Sequence, residues 1–71
     1  MDPYEELANA IVLQAVKDYR EALKRLKRNP EDKQGLDDKA EIESFFYSDW
    51  YGCLTTLDPD VLIRKLTEEV N

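Results

Sequence analysis

Apolar residues return at steps of three and four along the first part of the chain. The stripe runs Leu7, Ile11, Ala15, Tyr19, Ala22, Leu23 and Leu26, with Val12 and Val16 widening it. That spacing predicts one amphipathic helix from about Pro3 to Arg28. Leu13 falls off the stripe. A second apolar face gathers Ile42, Phe46 and Cys53, with Phe45 beside them, and a third gathers Leu62, Ile63, Leu66 and Val70. No segment alternates as a strand would.

Three dipeptides mark starts: Asp2-Pro3, Asn29-Pro30 and Asp58-Pro59. In each, the Asx oxygen can accept from an orphan backbone N–H, and Pro gives up nothing at the first helical position. The expectation is an all-α, compact three-helix domain, with helices over about 3–28, 30–54 and 59–69. The middle helix has two candidate starts, Pro30 and Asp38, because Asp38 and Glu41 share capping-box spacing and Gly35 weakens the turns between them. Its end is also open: Gly52 is one candidate stop, and Thr55 to Leu57 another.

Five of the seven aromatic residues fall in FFYSDWYG, residues 45–52. Helical positions turn by about 100° per residue, so these rings cannot all face one core. Phe45 and Phe46, lacking a polar tip, are expected inside. Trp50 and the tyrosines have two readings. They fill a small core that needs large side chains, or Tyr47, Trp50 and Tyr51 stay partly exposed as an interface anchor, with Asp49 beside them.

Seventy-one residues make one domain, and the formal charge of −6 is unevenly placed. Residues 1–28 hold six bases against five acids; residues 29–71 hold four against eleven. An acidic chain is repelled by DNA and by anionic membranes and suits a basic protein surface. The acids Asp37, Asp38 and Glu41 crowd the front of the middle helix. Asp37 and Glu41 stand about 6 Å apart along a helix, close to the phosphate spacing of a nucleic-acid strand. The opposite candidate is the basic end of the first helix, Lys24, Arg25, Lys27 and Arg28, which offers phosphate contacts, although bases and acids alternate around it. Direct nucleic-acid binding is the weaker expectation, and a homodimer burying Leu13 or Trp50 is a third.

Catalysis is not expected. The chain has no histidine and one cysteine, Cys53, so the commonest general base, the commonest zinc ligand and an internal disulfide are all missing. No phosphate-cradling glycine motif exists, and no cofactor or metal is expected. Asp58-Pro59-Asp60 lacks the glycine and closing glutamate of a calcium loop and reads as a helix cap. No secretory signal or membrane span is legible, and the lone cysteine fits a reducing, cytoplasmic setting.

The stretches AIVLQAVKDYREALKRLKRNP (10–30) and EIESFFYSDWYGCLTTLDPDVLIRKL (41–66) cover about two thirds of the chain. Together they resemble a family of small proteins carried by prophages and integrative elements of Gram-positive bacteria. The resemblance implies expression inside a bacterial host. It carries no catalytic motif, so no active residue transfers. Small acidic proteins of such elements are often inhibitors of host defence, anti-CRISPR proteins among them. By that context the expected partner is a host protein with a basic surface, such as a CRISPR or other defence nuclease. The docking residues would be Asp37, Asp38, Glu41, Tyr47, Asp49, Trp50 and Tyr51. The alternatives are a regulator of the element acting on nucleic acid and a dimeric accessory module.

Overall fold

A computed structural model describes residues 2–71. Four helices follow in order: α1 (Pro3–Arg28), α2 (Lys33–Phe46), α3 (Asp49–Leu54) and α4 (Pro59–Val70). The chain is an all-α compact domain with three main helices and one short one, and the described residues contain no strand. No helix among them is long and apolar enough to cross a membrane.

Two of the three expected starts hold. Asp2 accepts from the Tyr4 N–H at 2.9 Å, and Asp58 from the Asp60 N–H at 2.9 Å, each with Pro at the first helical position. Asn29-Pro30 does a different job. Asn29 closes α1, its N–H reaching the Arg25 carbonyl at 2.9 Å, and its side chain accepts from the Glu31 N–H at 3.1 Å to form a turn. Proline cannot carry α1 onward, because it lacks the donor and its ring crowds the preceding turn. The start of α2 is Asp32, which accepts from the Gly35 N–H at 3.2 Å. Asp38 therefore lies inside the helix and caps nothing. Arg25 turns to Asp32 at 3.2 Å, holding the α1–α2 corner.

The middle segment is two helices. The Ser48 hydroxyl donates to the Phe45 carbonyl at 2.6 Å and accepts from the Tyr51 N–H at 3.2 Å. One side chain thus closes α2 and opens α3. The break resets the helical phase, so Cys53 leaves the face of Ile42 and Phe46 and is exposed. The chain then runs extended through Thr55, and α4 begins after Asp58.

The core is made by Val16, Tyr19, Ala22 and Leu23 of α1, Phe46 of α2, Tyr51 of α3 and Leu66 of α4. Edge-on ring pairs run through it: Tyr19 to Phe46 and Phe46 to Tyr51, each with centroids 5.6 Å apart. Such pairs add roughly 0.5–1.5 kcal/mol each beyond the area they bury. The α1 helix spans about 39 Å, far longer than the elements packed on it. Its N-terminal turns are only partly covered: Tyr4 and Ala8 border the segment from Cys53 to Thr56, and Leu7, on the apolar stripe, stays 61% exposed.

At Gly35, α2 packs tightly on α1. A Cβ there would sit 3.1 Å from Cγ and Cδ2 of Leu26. Gly35→Ala should nearly cancel: about 1 kcal/mol gained in helix propensity against a neighbour forced to shift. Gly35→Leu should lower stability by about 1–3 kcal/mol, because the added atoms overpack the contact. Urea unfolding of the two variants checks this, and equal stability would show that the helices can separate without cost.

Candidate functional site

The aromatic octet divides three ways. Phe46 and Tyr51 are buried, Phe45 is half-buried, and Tyr47 and Trp50 are each 58% exposed. Tyr51, expected among the docking residues, is only 2% exposed and offers no ring face to a partner. Ser48 turns α3 so that Tyr51 enters the core while its neighbour Trp50 points outward. Trp50 is not loose: its ring meets Phe45 edge-on at 5.7 Å, and Phe45 meets Tyr51 at 5.8 Å. A rigid aromatic chain therefore connects the core to the exposed indole.

The chain around these rings is rich in acids. From Ala40 to Ile63 the chain carries Glu41, Glu43, Asp49, Asp58 and Asp60, and neither Lys nor Arg. Among the described residues, no ion pair engages Asp49, Asp58 or Asp60. The Tyr47 hydroxyl donates to Asp60, tying the end of α2 to the start of α4. That bond, with some burial and the charges of Asp60, Glu43 and Asp58, pushes the Tyr47 pKa up. Tyr51 is raised too, first by burial and then by the Asp58 charge. Leu57 is exposed at the same end of the molecule, beside Asp58.

The acidic front of α2 is differently placed. Asp37 is exposed, and Asp38 accepts from the Gln34 amide at 2.8 Å. Asp38 and Glu41 share a depression with Lys24, Arg25 and Arg28 of α1. They face the basic end of α1 and form a mixed-charge surface instead of a free acidic row. Ten helical positions, about 15 Å, separate Asp37 from Tyr47. The seven expected docking residues are therefore two places: the mixed groove, and the acidic aromatic end formed by α3 with the adjoining ends of α2 and α4.

The basic alternative is largely engaged within the fold. Lys24 lies 3.9 Å from Glu21, Arg25 pairs with Asp32, and Lys27 donates to the Val70 carbonyl at 2.9 Å. Arg20 pairs with Glu69 at 2.9 Å. These pairs are exposed and individually weak, yet they place a carboxylate or carbonyl beside three of the four expected cations, Lys24, Arg25 and Lys27.

Asp58, Asp60 and Leu57 belong to the surface and were not among the expected docking residues. The signal for them was present: a long base-free run spanning the aromatic octet. Asp58 and Asp60 read first as a helix cap and its first turn, and that role is real: Asp58 Oδ1 accepts from the Asp60 N–H. Among the described residues, no three acids or cysteines converge as metal ligands. No protein-family model, curated protein or solved structure matches the chain.

Proposed function

We propose that this protein acts by binding a basic protein surface through its acidic aromatic end, and that the partner is a bacterial defence nuclease that it inhibits stoichiometrically. The observation that carries the binding reading is the exposed Trp50 and Tyr47, accompanied by Asp49, Asp58 and Asp60 in a stretch, Ala40 to Ile63, that holds no Lys or Arg. Exposed aromatics held on a rigid base are the usual anchors of protein interfaces, since they bury much area at little entropic cost. A surrounding field of one sign steers a cationic partner and fixes its orientation. The nuclease part rests on the resemblance of residues 10–30 and 41–66 to proteins of mobile elements.

The test is titration of the purified protein into DNA-cleavage reactions of defence nucleases from Gram-positive hosts. Cleavage should stop near one equivalent. Trp50→Ala should raise the concentration needed by about 30-fold or more, as expected for a hot-spot loss of about 2 kcal/mol or more. Asp49→Lys should act in the same direction and weaken the salt dependence of association. The Asp37/Asp38/Glu41 charge reversal should matter less, because two of those acids face α1. Undiminished cleavage at a large molar excess overturns the inhibitor reading. Full potency of Trp50→Ala overturns the assigned surface.

A further inference from the structure

The face of α1 turned away from the core carries an uncharged patch. Helical positions turn by about 100°, so Glu6, Leu7, Leu13, Gln14 and Lys17 all lie within about 60° of Ala10, and Tyr19 lies on the opposite side. Tyr19 is in the core, while Ala10 and its five neighbours on that face are exposed. Leu7 is 61% exposed and Leu13 65%. From Leu7 to Val16 the chain holds no charged residue, in a sequence that is 37% charged. Charges of opposite sign bound the stretch, with Glu5 and Glu6 before it and Lys17 after it. Among the described residues, neither Glu6 nor Lys17 enters an ion pair.

We infer that a second copy of this chain covers the patch, its α1 running antiparallel to the first about a two-fold axis at Ala10. The order of charges argues both for the copy and for its direction. A two-fold contact uses the same patch on both chains, and it reverses one helix against the other. Leu7 of each copy then comes opposite Leu13 of the other. Glu6 comes opposite Gln14, three residues from Lys17, and about 4.5 Å along the axis is within reach of two long side chains. A parallel pairing would set Glu6 against Glu6 and Lys17 against Lys17. Ala10 meets itself at the axis, and so small a side chain lets the helices approach closely. The overlap runs from Pro3 to Lys17, about 21 Å of helix. Two faces of that length bury less than about 1,200 Å², so the dimer is weak and fills only at high concentration. On the other side of α1, Tyr4 and Ala8 border the segment from Cys53 to Thr56. The acidic aromatic end therefore stays open, and one dimer presents two Trp50 anchors. The pairing uses a different face from that end and does not depend on the nuclease reading.

The test is sedimentation of the full chain between about 10 μM and about 1 mM. The mass should rise toward that of two chains over this range. Leu13→Ser and Ala10→Arg change exposed positions, so circular dichroism should show both variants folded. Each change enters a two-fold contact twice, and each should raise the dissociation constant about tenfold or more. Glu6→Lys alone and Lys17→Glu alone should each weaken the dimer about threefold or more, and the double swap should restore it. Added salt should weaken the wild-type dimer and the double swap alike.

A wild-type chain that stays monomeric at about 1 mM overturns the inference. A dimer that survives both Leu13→Ser and Ala10→Arg overturns the assigned face, and its loss with Trp50→Ala would move the contact to the acidic aromatic end. A double swap that dimerises no better than the single changes overturns the antiparallel order. A monomer that loses capture of its protein partner with Leu13→Ser would give the face to that partner instead of a second copy.

Discussion

Phe46→Ala is expected to lose about half or more of the domain's stability, while Trp50→Ala, four residues on, loses little. Phe46 is fully enclosed and touches Tyr19, Phe45 and Tyr51 through ring edges. Truncating such a ring costs about 3–5 kcal/mol, from lost transfer energy and the cavity left behind. A domain of this length has roughly 4–10 kcal/mol in total. The loss therefore takes about half or more of it, and melting should fall by more than about 15 °C. Trp50 makes one ring contact, edge-on with Phe45, and more than half of it is exposed. Its truncation should cost about 1 kcal/mol. Thermal melts by circular dichroism separate the two cases. If Trp50→Ala melts as low as Phe46→Ala, the indole belongs to the core and the binding surface loses its anchor.

The contrast between these neighbours also shows what could be read from the chain. Type separated them only in part: Phe46, lacking a polar tip, is expected inside, whereas Trp50 fits either a core or an interface. What separates them is the phase of the backbone, and Ser48 resets that phase by serving both helices at once. Periodicity carried through Ser48 puts Cys53 with Phe46, whereas the break exposes it. The long stripe of α1 was legible, because one uninterrupted helix keeps its phase over 26 residues. Its exposed beginning at Tyr4 and Leu7 was not, since amphipathic spacing says which face is apolar and never how far a partner extends along it. Asn29 and Asp32 are equally good capping residues by type. The choice between them depends on Pro30 stopping α1 and on Arg25 reaching Asp32, a contact made only after the chain has turned. In the same way, the acids of α2 seemed one row until the fold set Asp38 and Glu41 opposite α1. The acidic aromatic end was legible as an absence of bases, a signal that composition over the whole chain averages away.

Glu43 should carry the largest polar contribution to stability, and the effect should disappear in acid. Its Oε2 accepts from the Tyr19 hydroxyl at 2.6 Å and from Lys39 at 2.8 Å. Burial alone would favour the protonated acid, but the bonds from Lys39 and Tyr19 outweigh it and hold the Glu43 pKa below the ordinary value. Asp32 is held low as well, first by the Gly35 N–H and then by Arg25. A depressed carboxylate pKa means that the folded state binds fewer protons than the unfolded chain. Stability is then present above the unfolded value, about pH 4 for these groups, and lost as pH falls through the folded one. At the alkaline end the sign reverses. The Tyr19 pKa is raised by burial and then by Glu43, so its contribution is intact below about pH 10 and lost at higher pH. Glu43→Ala strands the Tyr19 hydroxyl in the core and should cost about 1–3 kcal/mol at neutral pH. Glu43→Gln keeps an acceptor without the charge and should cost less. The decisive comparison is urea unfolding of wild type and Glu43→Gln between about pH 7 and 3. A protonated glutamic acid and a glutamine are near equivalents, so the gap between the two proteins should close as Glu43 takes its proton. A gap of constant size would place the acid sensitivity elsewhere and leave the Lys39–Glu43–Tyr19 chain as a geometric feature without electrostatic weight.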